Sequence, residues 1–134
     1  MTVGIDTSVL VRVLTGLPEA QAAEALRHLM QLGERGSRVL VSDLVLAEAY
    51  FALQYHYRIS KKDALDALRV FLQSPFVEAS GTAPEILALP RLESAKPGFV
   101  DRLIRLQYLR GAAEEVLTFE KAAARLRGVT VLAG

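Results

Sequence analysis

The sequence predicts an α/β fold, a three-layer α/β/α arrangement around a mainly parallel central sheet of about five strands. Three observations carry that expectation. Apolar runs of strand length recur along the chain, stretches with helical spacing separate them, and helix-capping residues or glycines mark the junctions. Strands that alternate with helices are joined by crossovers, so they lie parallel, with helices on both faces.

The first strand covers roughly Thr2 to Ile5 and breaks at Asp6-Thr7-Ser8. Those three residues suit the N-cap of a helix from Val9 to Leu14 that ends at Gly16. Pro18 starts a longer helix in which Ala22, Leu26, Leu29 and Met30 recur at helical spacing, closed by Gly33 and Gly36. Arg38 to Val41 is the second strand. Ser42 caps a helix from Asp43 to about Tyr57, which is apolar almost all round and carries Glu48 in its middle.

Ser60, with Asp63 three residues on, resembles a capping box and opens a helix bearing Leu65, Leu68 and Leu72. Phe76-Val77 is a short third strand. From Thr82 to Gly98, Pro84, Pro90 and Pro97 restrict helices to short lengths. A helix from Phe99 carries Val100, Leu103, Ile104 and Leu106 and ends at Gly111. Glu115 to Leu117 is the fourth strand, Thr118 caps a helix that Gly128 ends, and Val129 to Leu132 is the last strand.

A chain of 134 residues is expected to form one domain, residues 1–134, with a core of its own. Its 51% hydrophobic content is high for an isolated soluble chain, so a partner or a second copy is expected to cover part of the apolar surface. No apolar run reaches bilayer length, which argues against a membrane role, and the first residues lack the basic start of a secretory signal. The chain has no cysteine, which excludes disulfides and thiolate metal sites and makes a cytoplasmic location the expectation. A net charge of +1 leaves any affinity for RNA to local patches and bound metal.

Four acids draw attention: Asp6, Glu48, Asp101 and Glu120. Each is expected at a strand end or on an apolar helix face. In α/β sheets the reactive groups gather at the carboxyl ends of the strands. Asp6 follows a strand and suits a cap, but Thr7 and Ser8 can cap equally well and release it for another task. Glu48 has Leu44, Val45, Phe51 and Ala52 as helical neighbours, which predicts a buried carboxylate held by a metal, or else by Arg12 or Lys62. Asp101 lies between Val100 and Ile104, with Arg105 four residues on as the alternative surface partner. Glu120 sits in the first turn after Thr118, where an acid also suits the helix dipole.

As a set, the acids point to a hard divalent cation, since Mg²⁺ and Mn²⁺ take oxygen ligands. Such ions activate water and stabilise the leaving oxygen of a phosphodiester. His28 and His56 stand alone, and no glycine-rich phosphate loop is present.

The motifs that hold these acids resemble those of PIN-domain nucleases. Val3-Gly4-Ile5-Asp6-Thr7-Ser8-Val9-Leu10-Val11 is similar to the family's opening strand and turn, and Val41-Ser42-Asp43-Leu44-Val45-Leu46-Ala47-Glu48 to its second acidic motif. Gly98-Phe99-Val100-Asp101-Arg102-Leu103-Ile104 resembles the third and Val116-Leu117-Thr118-Phe119-Glu120-Lys121 the fourth. Gly128-Val129-Thr130-Val131-Leu132 matches the closing strand. The likeness runs the length of the chain and is least between about Thr82 and Lys96.

Within the family, the compact single-domain form resembles VapC toxins of toxin–antitoxin pairs. That resemblance implies a Mg²⁺- or Mn²⁺-dependent endoribonuclease, dimeric, silenced by a cognate antitoxin. Asp6, Glu48 and Asp101 would bind the metal, with Glu120 as the fourth acid, and Thr7 or Ser8 and Thr118 would orient the metal shell or its water. Metal-activated water would cut RNA to leave a 5′-phosphate and a 3′-hydroxyl. The family usually has Asp where this chain has Glu120, so a catalytically impaired PIN-fold module that binds RNA or protein is the alternative.

Haloacid-dehalogenase-type phosphatases need a second Asp two residues after the first, and here Ser8 stands there. Receiver domains need an acceptor Asp after a middle strand and a Lys after the last, which this chain lacks. Arg12, Lys96, Arg102 and Arg105 are candidates to meet RNA phosphates. Tyr50, Phe51, Tyr55 and Tyr57 are read as part of a subunit or antitoxin interface, with base stacking as the other use.

Overall fold

The protein is described over residues 1–134 by a computed structural model. Five strands and six α-helices alternate along it, and every strand pairing is parallel. The chain forms two compact units, Met1–Pro84 and Glu85–Gly134.

The first unit holds a three-stranded sheet, β1 (Thr2–Gly4), β2 (Arg38–Val41) and β3 (Val77–Ala79), in that order. Val3 pairs with Val39, and Val39 with Val77. Helices α1 (Thr7–Thr15) and α2 (Glu19–Glu34) connect the first two strands, and α3 (Asp43–Tyr55) and α4 (Lys61–Leu72) the next two. Leu10, Leu46, Leu53, Leu65 and Leu68 are fully buried, as are Val39 and Val41 of the central strand. α1 packs on α2 and α3, and α3 on α4, so the helices share one core with the strands.

Local chemistry sets the helix ends. The Ser42 hydroxyl accepts from Val45 N–H, and that of Ser60 from Asp63 N–H, as their positions predict. Gly16 ends α1 at φ 72°, a left-handed conformation that a side chain disfavours.

A buried carboxylate ties the loops at one sheet edge. Asp43 is 6% exposed. Its Oδ2 accepts from the Thr82 N–H and hydroxyl at 2.9 Å each, and its Oδ1 from Ala83 N–H at 3.0 Å. A Cβ on Gly81 would fall 2.5 Å from that carboxylate, so only glycine lets the backbone come so close.

α5 (Ala83–Leu87) crosses the division between the units. The second unit contains α6 (Phe99–Arg110) and a two-stranded parallel sheet of β4 (Val116–Thr118) and β5 (Val129–Val131). Leu92, Phe99 and Leu103 are its buried anchors, and Arg110 forks onto both oxygens of Glu85.

Two details differ from expectation. The five strands are shared between sheets of three and two. The helix expected from Thr118 to Gly128 is only a 3₁₀ turn, Lys121–Ala123. In that segment Ala123 is the one buried side chain, so no apolar face rewards a longer helix.

Candidate active site

Parallel strands place the residues that follow β1, β2 and β3 at one edge of the first sheet. Asp6 follows β1 there, Ser42 and Asp43 follow β2, and Ser80 to Thr82 follow β3. Ser80 N–H donates to the Val41 carbonyl and Ile5 N–H to that of Leu40, which continues the ladder to the loops.

Of the three capping candidates Asp6, Thr7 and Ser8, Asp6 is itself the N-cap of α1. Its Oδ1 accepts from Ser8 Oγ at 2.6 Å and from Val9 N–H at 3.1 Å. Both bonds fall on one oxygen, so capping engages only half of the carboxylate. The Ser8 hydroxyl first, then the Val9 N–H, hold the Asp6 carboxyl below its ordinary pKa, and the charge on Arg12 adds to them.

Glu48 is exposed, and this corrects the expectation of a buried carboxylate. Its helical neighbours Leu44 and Phe51 are themselves 70% and 43% exposed, so that side of α3 faces outward. No ion pair with Arg12 or Lys62 forms: Arg12 bonds Gln21 and the Ser8 carbonyl, and Lys62 pairs with Asp66. The partner of Glu48 is Thr7, whose Oγ1 donates to Glu48 Oε1 at 2.9 Å. Two of the predicted acids thus stand on adjoining residues of one local framework: Asp6 caps α1, and Thr7, next in the chain, holds Glu48.

Asp101 and Glu120 belong to the second unit and are exposed, so the cost of burial does not apply to any of the four acids. Asp101 lies in the first turn of α6, where a negative charge suits the helix dipole. Arg105 is not its partner, because Arg105 Nε donates to the Arg127 carbonyl at 2.9 Å. Thr118 ends β4 and its Oγ1 accepts from Glu120 N–H; it caps no helix. Glu120 is the cap of the 3₁₀ turn, accepting from Ala122 N–H through Oε1.

Neither unit gathers three or more Asp, Glu or His side chains in a metal-holding group. In the first unit, Asp6 and Glu48 each spend one carboxylate oxygen on a neighbour and keep a second. An oxygen donor set of that kind fits a hard cation such as Mg²⁺ or Mn²⁺.

A cavity of about 850 Å³ opens beside Asp6, lined by β1, α1 and α2. Its polar lining is Asp6, Ser8, Arg12, Gln21, Glu24 and His28, and its apolar lining includes Val3, Val9, Leu29 and Leu32. No local pattern of residues predicts this cavity, since three separate elements line it. Nor does local pattern predict the burial of Asp43, since the Gly81-Thr82-Ala83 segment that buries it is about forty residues away.

The PIN domain family model matches residues 3–129, across both units, and the chain belongs to that family. PIN domains are generally nucleases. No curated protein matches the chain. No helix is long and apolar enough to cross a membrane.

Proposed function

We propose that the protein is a Mg²⁺- or Mn²⁺-dependent endoribonuclease and the toxin of a VapC-type toxin–antitoxin pair, acting in the cytoplasm. The observation that carries the nuclease reading is the Asp6–Thr7–Glu48 framework in a chain of a nuclease family. Asp6 and Glu48 are assigned as metal ligands because Asp6 caps α1 and Thr7, the next residue, holds Glu48, and Asp101 and Glu120 from the order of the acidic motifs. When bound, a divalent cation supplies Lewis-acid activation of water and neutralises charge on the phosphoryl oxygens.

The chain's own residues do the positioning. Ser8 fixes Asp6 by donating to its Oδ1, and Thr7 fixes the rotamer of Glu48. Thr118 holds the backbone of Glu120. Water is the nucleophile, and the cut leaves a 5′-phosphate and a 3′-hydroxyl.

The chain acts as a homodimer and is silenced by an antitoxin. The outward side of α3 supports this reading, because Leu44, Phe51 and Tyr55 expose apolar surface along it. The test is digestion of single-stranded and structured RNA by the purified chain with Mg²⁺, Mn²⁺ or EDTA, followed by identification of the product ends. Metal-dependent cutting with 5′-phosphate ends supports the proposal; intact RNA across the panel contradicts it.

A second reading has one observation in its favour. Glu120, where the family usually has Asp, commits Oε1 to the Ala122 N–H. A PIN-fold module that binds RNA or protein without cutting accounts for that, and intact but bound RNA in the same assay would select it.

A further inference from the structure

Arg12 forms no ion pair with a carboxylate, although its charge reaches Asp6, which lines the same cavity along with Glu24. Its Nε donates to Gln21 Oε1 at 2.6 Å and its Nη1 to the Ser8 carbonyl at 3.0 Å, and both acceptors are neutral. The residue is half-buried. Two bonds fix the guanidinium plane, and its remaining N–H donors can still meet a ligand. A partly desolvated cation held in this way favours an anion beside it.

Other basic residues differ. Arg27, Arg38 and Arg110 each end on a carboxylate. Arg102 and Arg105, in the second unit, each donate through Nε to a single backbone carbonyl. Arg12 lines the cavity beside Asp6, a volume of about 850 Å³ that suits a ligand of small-molecule size. The same lining also carries apolar side chains, Val9 and Leu29 among them. An occupant that matches both parts is anionic at one end and flat or apolar at the other. One nucleotide of an RNA strand has that make-up.

We propose that Arg12, oriented by Gln21, is a phosphate-binding subsite for the RNA phosphodiester that adjoins the one being cut, with the attached nucleoside lying against Val9 and Leu29. The inference rests on the nuclease reading of Asp6 and Glu48. Gln21 is a positioning residue here, acting through Arg12.

The test is equilibrium binding of a labelled single-stranded RNA in EDTA, where no metal-dependent cutting occurs, across a series of salt concentrations. Arg12→Gln is expected to weaken binding several-fold at low salt. It should also reduce the slope of log K against log salt by about 0.7, the share of one single-strand phosphate. Arg12→Lys should keep the slope, and Gln21→Met should weaken binding while keeping the slope. Arg38→Gln, at the amino end of the central strand β2, should leave the slope unchanged.

An unchanged slope in Arg12→Gln overturns the inference, as does an equal fall in Arg38→Gln or a wild-type chain that binds no RNA. Cleavage with Mg²⁺ or Mn²⁺ is measured separately. Cutting with an unchanged slope removes the subsite and leaves the nuclease. A fallen slope without cutting keeps Arg12 as a phosphate contact but overturns its place beside a scissile bond, together with the nuclease reading.

Discussion

Thr7 donates its hydroxyl to Glu48 across forty-one residues of sequence, at 2.9 Å, and so ties the start of α1 to the second turn of α3. The bond fixes an exposed carboxylate that would otherwise sample several rotamers. Removing the hydroxyl with Thr7→Val should leave the fold intact and weaken Mn²⁺ binding by about 10–100-fold, the usual effect of losing a group that orients a ligand. Thr7→Ser should restore most of it. Calorimetric titration with Mn²⁺ measures both, and equal affinity in Thr7→Val and the wild type would separate Thr7 from the site.

The Asp43 clasp predicts stability rather than activity. Asp43→Ala leaves the Thr82 N–H, the Thr82 hydroxyl and the Ala83 N–H without their acceptor in a buried place, at a cost on the order of 2–3 kcal/mol. Gly81→Ala pushes a methyl into the same carboxylate and should cost about 1–3 kcal/mol. Urea unfolding reads both. Wild-type midpoints in the two variants would show that the clasp does not hold the loop.

Asp6 gives a pH dependence with a definite sign. Its folded-state carboxyl lies below the ordinary 3.8, chiefly through the Ser8 hydroxyl and then the Val9 N–H. Its contribution to stability is therefore present above pH 3.8 and is lost as the pH falls through the folded-state value. That contribution is small, because the group faces solvent. Ser8→Ala should move the Asp6 titration back toward 3.8, as followed by carboxyl-carbon resonance shifts. A midpoint that does not move in Ser8→Ala would contradict the hydrogen bond's role.

Much of the fold was legible in the sequence because local signals and long-range packing agree. The Ser42 and Ser60 caps, the Gly16 stop and the alternation of strands with helices all stand where composition and spacing put them. The site was legible in identity more than in physics. Glu48 looked buried because its helical neighbours are apolar, but those neighbours are exposed themselves, and helical spacing cannot tell a core face from an uncovered one. The Thr7–Glu48 bond and the burial of Asp43 depend on contacts some forty residues apart, which no local pattern encodes. The helix expected after Thr118 failed because its capping signals lacked an apolar face to pack.

The uncovered side of α3 predicts self-association. Phe51 stacks on Tyr55 with ring centroids 6.2 Å apart, and Tyr55 is 76% exposed. Replacing both by serine should shift a dimer to monomer in analytical ultracentrifugation without loss of helix content. If the doubly substituted chain sediments as the wild type does, the dimer interface lies elsewhere.

The central claim is that Asp6 takes part in metal-dependent RNA hydrolysis. Purified, partner-free chain and its Asp6→Asn variant are compared for RNA cleavage with Mg²⁺, with Mn²⁺ and with EDTA. Asn keeps a side-chain oxygen to cap α1 but lacks the negative charge a cation needs. The account predicts cutting by the wild type with either metal, none in EDTA, and a loss of at least about a hundredfold in Asp6→Asn, since each factor of ten corresponds to about 1.4 kcal/mol of barrier. Equal cutting by the variant, or cutting that persists in EDTA, would contradict it.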